Sequence, residues 1–351
     1  MERLRRHRLV ILAEGEFGET GSKTAMGVIR YGPHELAAVI DSTRAGRDVS
    51  EWLPGHPAPV VASLAEALPR RPTALLLGTA PAGGKLPAAW RATVLQAIEA
   101  GLDVINGLHV FLGDDPEFAA AAERKRVTIT DHRRPPERME VAAGRSHLPG
   151  KRVILTVGTD CALGKMSVAL ELRDAARAAG LPAVFVATGQ TGIMIEGWGV
   201  AVDRVIADFL QGTCEWLVEQ AEAMGDWIIV EGQGSLDHPA YSSVTLGLIH
   251  GCTPHAMVMV HQAGREFHHG WEERGSRCPP LVPFIRLHEE VAGLVAPSVV
   301  AAVALNTSLL ADEAVARRAI AEVAEETGLP TDDPYRFGGE RLMAALRERL
   351  A

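Results

Sequence analysis

Short runs of consecutive apolar residues recur along the chain, separated by longer stretches in which apolar positions return every three or four residues. In the N-terminal part, residues 9–13, 36–40, 74–77 and 104–105 are runs of the first kind. Each is bounded on at least one side by Gly, Pro or a charged residue, the signature of a strand buried on both faces. Residues 90–100, stopped by Gly101, read as a helix. Further on, 153–157, 183–187, 227–230, 256–260 and 299–305 are apolar runs, and 166–179, 213–224, 312–327 and 340–349 have helical periodicity. Strands that alternate with helices and lack polar alternation predict an α/β protein with parallel sheets covered on both faces.

A charged, proline-broken stretch over 131–151, containing HRRPPER and SHLPGK, interrupts this alternation. It predicts a boundary near Pro149, with a Rossmann-like N-terminal domain over 1–149 and a P-loop NTPase-like parallel-sheet domain over 150–351. A length of 351 residues suits two domains, each with its own core. Hydrophobic residues at 47% and charged ones at 23% describe a globular chain. A net charge of −9 argues against a nucleic-acid partner. The first apolar run is too short for a signal peptide or a membrane span. Cys161, Cys214, Cys252 and Cys278 form no paired framework, which predicts a reducing, cytoplasmic setting. For such an enzyme a homo-oligomer is the base expectation.

The chemistry concentrates where residues 153–157 run into Gly158-Thr159-Asp160-Cys161-Ala162-Leu163-Gly164-Lys165-Met166-Ser167. A strand, a glycine-bearing loop and a lysine opening a helix are the parts of a phosphate site. Backbone N–H groups and the helix N-terminus cradle anionic oxygens, and Lys165 adds a full charge. Gly158, Thr159, Asp160, Gly164, Lys165 and Ser167 are therefore the expected phosphate contacts. The loop departs from the common pattern by one extra residue before Gly164 and by Met166, which stands where a Ser or Thr usually holds Mg²⁺. A thioether is a poor ligand for that hard cation, although Ser167, Asp160 or Glu231 could still organise it. The run 227–230 ends in Glu231-Gly232 and delivers a carboxylate toward the ligand edge of the same domain.

In the N-terminal domain the first turn, AEGEFGETG, lacks the G-x-G-x-x-G spacing and carries Glu14, Glu16 and Glu19 where a pyrophosphate would sit. NAD is not expected there, and Asp41 reads as a strand-end turn acid. A second glycine loop, GTAPAGGK over 78–85, ends another strand.

The spacing G-T-D-x-x-x-G-K followed by E-G at the end of a later strand resembles dethiobiotin synthetase. Across nearly the whole chain, GTDCALGKMS, ATGQTGIMI, VEGQGSLDHPAYS, LGLIHG, DPYRFGG, KTAMGVIRYG, GTAPAGG and NGLHVFLGDDPEF resemble the D-glutamate N-acetyltransferase-like family, long catalogued as a domain of unknown function. This resemblance implies acetyl transfer from acetyl-coenzyme A to the amino group of a D-amino acid. On that reading the loop is a handle for the coenzyme A phosphates, a role in which a lost magnesium hydroxyl matters less.

Such a transfer needs a base for the amine, and an unperturbed glutamate is a weak one. Glu231 and His238 are the expected catalytic pair, with Gln233, Ser235 and Tyr241 of the same loop as substrate contacts. Arg265, after the 256–260 strand, is the expected guanidinium for a dicarboxylate. No metal site is expected, because the histidines and cysteines of 250–278 lack an organising spacing. Cys161 reads as a loop-packing residue, with an acetyl-cysteine route as an alternative. Two other functions remain open: an ATP- and Mg²⁺-dependent ligase or kinase of the dethiobiotin synthetase type, and a nucleotide-responsive binding protein without turnover.

Overall fold

The computed structural model describes residues 5–79, 84–137 and 139–351. Their strands form two six-stranded sheets, every pairing parallel. The first sheet holds β1 (Arg8–Leu12), β2 (Glu35–Ile40), β3 (Val60–Val61), β4 (Ala74–Leu77), β5 (Asp103–Asn106) and β6 (Ile129–Asp131), in the order β3-β2-β1-β4-β5-β6. This is the doubly wound order of a Rossmann-like sheet. Val10, Leu12, Leu75 and Leu77 pack on one face with Trp90, Val94 and Ile98 of the helix Ala88–Glu99 and Phe118 of the helix Pro116–Lys125. Leu9, Ile11 and Leu76, one position out of step, are equally buried. Both faces are covered, so these strands show no polar alternation.

The second sheet holds β7 (Arg152–Gly158), β8 (Ala183–Val186), β9 (Trp227–Val230), β10 (Ala256–Gln262), β11 (Val299–Asn306) and β12 (Thr331–Asp332), in the order β12-β11-β10-β7-β9-β8. The chain leaves β7 through the helix Lys165–Ala178, makes β8 and β9 on one side, then crosses to β10 on the other. β7 therefore borders the topological switch point, where the carboxyl ends of parallel strands leave a crevice for ligands.

Several elements carry no clear mark in the sequence. β3 and β12 are two residues long, too short to show a period. The helix Ser242–Cys252 contains Gly247 and Gly251, poor helix formers. A Cβ at Gly247 would strike Leu210, and one at Gly251 would strike the Gln211 carbonyl and Cys214, so close packing on the helix Ala207–Glu222 requires the glycines. That partner helix starts six residues before the predicted 213.

The described chain groups into two compact units: residues up to Pro135 with Gln190–Arg204, and Pro136–Gly189 with Val205–Ala351. Residues 136–149, assigned above to the first domain, thus cluster with the second. Glu215 accepts from the backbone N–H groups of Ala143 and Arg145, Glu222 accepts from the Leu148 N–H, and Glu219 pairs with Arg145. Gly212 lets the 140–142 backbone run directly against its helix. The segment Gln190–Arg204 joins the first unit through Thr191 on Thr24 at 2.9 Å, the Met194 carbonyl facing His34 Nε2 at 3.3 Å, and an Asp203–Arg133 ion pair. Among the described residues no helix is long and apolar enough to cross a membrane.

Candidate functional site

β7 ends at Gly158 and the helix begins at Lys165, so the intervening loop opens at the carboxyl edge of the second sheet. Gly164 caps the helix at φ +101°, a left-handed conformation that explains its glycine. The loop is braced from neighbouring strands. Asn306, at the end of β11, donates from Nδ2 to the Leu163 carbonyl at 2.9 Å. His261 in β10 pairs through Nδ1 with Thr159 Oγ1 at 2.8 Å. Lys165 is buried and its Nζ donates to the Asp160 carbonyl at 2.7 Å, placing the charge inside the loop. With the helix N-terminus this gathers positive charge at the loop, an arrangement that suits an anion. Met166 and Ser167 are half-buried on the first helical turn.

Asp160 is fully buried. Its Oδ1 accepts from Cys161 N at 2.7 Å and its Oδ2 from His269 N at 2.8 Å. The carboxylate therefore ties the loop to the segment after β10. Arg265 serves the same brace: its Nε donates to Gln262 Oε1 at 2.9 Å, and one terminal nitrogen lies 3.8 Å from Asp160 Oδ2.

Glu231 sits 4% exposed, with Oε2 accepting from Thr188 N at 2.9 Å and Gly189 N at 3.1 Å. This joins the ends of β8 and β9. Gly232 next to it cannot carry a side chain, since a Cβ would fall on the Thr156 carbonyl oxygen and crowd Lys165 Cδ at 3.2 Å. The Glu-Gly pair thus marks a place where β9, β7 and the lysine stem crowd together. Gln233 Nε2 reaches Thr188 Oγ1 at 3.3 Å.

In the following loop Ser235 donates to Asp237 Oδ1 at 2.7 Å. His238 is buried, with Tyr241 stacked on it at 4.7 Å and His268 edge-on at 5.3 Å. The Ala240 N–H donates to His238 Nδ1 at 3.1 Å, so the neutral ring carries its proton on Nε2. Nε2 points at Asp160 Oδ1, 3.7 Å away, and at Cys161 Sγ, 3.8 Å away. Burial holds the His238 pKa below its ordinary value against the opposing pull of Asp160. The neutral imidazole therefore faces the loop as a hydrogen-bond donor, which is not the arrangement of a general base at Nε2.

Asp160, Cys161 and His238 offer an oxygen, a sulfur and a nitrogen within 4.8 Å of one another. By element the trio would suit zinc. Both Asp160 oxygens already accept backbone N–H groups, however, and a metal on Nε2 would force a proton onto Nδ1 against the Ala240 N–H. The His238 ring thus sits in loose polar contact with Asp160 and Cys161, at 3.7 and 3.8 Å. Nearby, burial first, then Asp160 and Asp237, push the Cys278 thiol up to about 12.

The sequence reading missed Asn306, His261 and the backbone of His269. It also left DPYRFGG without a role: Asp333 accepts from Thr307 N at 2.9 Å and Thr307 Oγ1 at 2.6 Å while capping the helix Pro334–Phe337, which locks the turn after β11. In the first unit Asp41 is spent on Phe17 N, Thr43 and Arg44, a turn acid. Of the glycine loop 78–85, residues 80–83 lie outside the described residues.

Fold and site define a class: an α/β protein that combines a Rossmann-like domain with a P-loop domain. The chain belongs to the DUF1611 family, residues 42–135 matching its Rossmann-like domain, a "Domain of unknown function (DUF1611_N)", and 140–343 its P-loop domain, DUF1611_C. It is similar to a D-glutamate N-acetyltransferase of Tritonibacter scottomollicae, 39% identical over 81% of this chain and 84% of the relative. A protein of the same name from a Pseudoalteromonas species is 37% identical over the same shares. A crystal structure of a DUF1611 family protein from Anabaena variabilis superposes with a TM-score of 0.93 at 39% identity, covering 98% of this chain and 100% of that one.

Proposed function

We propose that the protein transfers the acetyl group of acetyl-coenzyme A to the amino group of D-glutamate. The observation that carries this reading is the likeness, over four-fifths of the chain, to two relatives named for that activity. The site geometry is compatible with it. Lys165 and the helix N-terminus suit the pyrophosphate of coenzyme A as a handle, and Met166 withholds the hydroxyl that phosphoryl transfer usually takes from this position. His238 Nε2–H supplies a neutral donor beside the loop, the kind of group that stabilises a developing oxyanion. Backbone N–H groups of 232–235 are further candidates for that task, while Gln233, Ser235, Tyr241 and Arg265 are the proposed surroundings of the amino acid.

The test is to incubate purified protein with acetyl-coenzyme A and a panel of D- and L-amino acids, following free thiol. Fastest release is expected with D-glutamate, and no release with any acceptor sinks the proposal. The Glu231 carboxylate beside a lysine loop favours a second reading, an ATP-dependent ligase or kinase. That reading requires Mg²⁺-dependent ADP formation stimulated by a substrate. Nucleotide binding without product in either assay would leave a binding protein.

A further inference from the structure

Beside the phosphate loop, the second unit carries a connected serine, histidine and aspartate that the phosphate handle does not use. Ser276 Oγ lies 2.9 Å from His268 Nδ1, and His268 Nε2 lies 3.3 Å from Asp237 Oδ2. A small hairpin makes the first contact. Phe267 and Arg277 bridge antiparallel, His268 N donates to the Ser276 carbonyl at 2.9 Å, and Cys278 N to the Glu266 carbonyl at 2.9 Å. His268 and Ser276 are therefore cross-strand partners whose side chains meet. Asp237 arrives from a different loop, the one after β9, oriented by Ser235 on its other oxygen at 2.7 Å. The hairpin is fastened to the phosphate loop by His269 N on Asp160 Oδ2 at 2.8 Å, which sets the trio beside the proposed coenzyme A handle.

Proton placement follows from donors and acceptors. The Ser276 hydroxyl can donate to Nδ1, leaving the neutral ring's proton on Nε2, toward the Asp237 carboxylate. The Nε2 contact is off the line of a hydrogen bond, and Nε2 has no other acceptor although His268 is 1% exposed. Catalytic hydrogen bonds are often long or poorly aligned before substrate binds, so this geometry does not exclude the role. A mere clasp for the hairpin would need neither Asp237 nor a ring lone pair, because backbone bonds already close it. The two thiols nearby are set differently: Cys161 faces the donor nitrogen of His238, and Cys278 is held in its protonated form.

We infer that Ser276, His268 and Asp237 form an acyl-carrying triad, with Ser276 as nucleophile, His268 as base and Asp237 as the residue that orients the ring. This rests on the acetyl-transfer reading above. Ser276 Oγ bonds to the carbonyl carbon of the acetyl thioester while its proton passes to His268 Nδ1. Collapse of the tetrahedral adduct breaks the carbon–sulfur bond, and His268 returns the proton to the departing thiolate. The free amine of the acceptor then attacks the serine ester, His268 takes an amine proton, and that proton goes to Ser276 Oγ as the ester bond breaks. Acetyl moves from sulfur to oxygen to nitrogen with no other reagent.

The full-length protein, given acetyl-coenzyme A without acceptor, should release one thiol per chain in a burst and gain the mass of one acetyl group, mapped by peptide sequencing to Ser276. Ser276→Ala should lose the adduct and roughly 10³-fold in turnover. Ser276→Cys should still form an adduct, now a thioester, which a merely structural serine would not give. Reaction with p-nitrophenyl acetate separates this inference from the reading beneath it. Acylation of Ser276 by that ester without turnover of acetyl-coenzyme A upholds the triad and overturns acetyl transfer. Coenzyme A-dependent N-acetylation at full rate by Ser276→Ala, with no burst in the unmodified protein, overturns the triad and leaves the activity standing. Absence of adduct with both reagents also overturns it.

Discussion

Lys165 holds its ammonium against the Asp160 carbonyl at 2.7 Å, so binding a phosphate exchanges a neutral acceptor for an anionic one. Removing the ammonium would remove a charge-assisted bond to that anion, ~1.5–3 kcal/mol. Lys165→Ala should therefore weaken coenzyme A by roughly 10- to 100-fold in isothermal titration, and unchanged affinity would remove the loop from the binding site. His238 gives a sharper test. If the Ala240 N–H fixes its tautomer, nitrogen NMR should find Nδ1 bare and Nε2 protonated at neutral pH. His238→Gln, which keeps a donor, should then retain much of the activity, whereas His238→Ala should lose about 10²–10³-fold. A His238→Gln enzyme as inactive as the Ala variant would instead indicate a base. Lys165 and its glycines were legible because a phosphate loop is contiguous in sequence. Asn306 and His261 were not, because their places at the loop depend on β10 lying beside β7 and β11 lying next beyond β10. Arg265 lies three residues beyond the end of β10, and its brace to Gln262 depends on a side-chain direction that spacing does not carry.

At the level of elements, the apolar runs mark most of the buried strands and the helical period marks several helices. Residues 74–77 and 340–349 coincide with β4 and the helix Glu340–Arg349, whereas the helices Pro116–Lys125 and Leu281–Gly293 are not among the predicted ones. The helix Ser242–Cys252 escaped because its glycines are chosen for contact rather than propensity. Gly232 and Gly293 show the difference within one residue type. A Cβ on Gly232 meets backbone of the adjacent strand, which cannot move without breaking the β7–β9 pairing, whereas one on Gly293 meets nothing within 4 Å. Gly232→Ala should cost more than about 4 kcal/mol, the range reserved for severe mechanisms, and is expected to yield insoluble protein. Gly293→Ala, at a helix end with ordinary backbone angles, should change stability by no more than about 1 kcal/mol and in the favourable direction. Chemical denaturation of both variants checks the contrast, which fails if Gly232→Ala folds with near-normal stability.

For the whole molecule, the clearest physical consequence of burial is an acid dependence of stability. His288 is fully buried in the helix Leu281–Gly293, its Nδ1–H donating to the Phe284 carbonyl at 2.8 Å and its Nε2 without a partner. Burial is the largest cause of its pKa falling from 6.5 to about 4, with Phe284 and Asp237 pulling the other way. Because the folded value is the lower one, the unfolded chain binds a proton between about pH 6.5 and 4 that the native protein refuses. Stability is therefore fully present above that window and declines as pH falls through it. Between pH 7 and 5 this single group should remove about 2 kcal/mol. His288→Leu, similar in volume and unable to titrate, should flatten that part of the profile while sparing stability near neutrality. Urea titrations of the unmodified and Leu proteins at pH 7 and pH 5 measure the difference directly. Parallel losses in the two proteins would mean that His288 is protonated in the native state, and that the acid sensitivity arises from other groups.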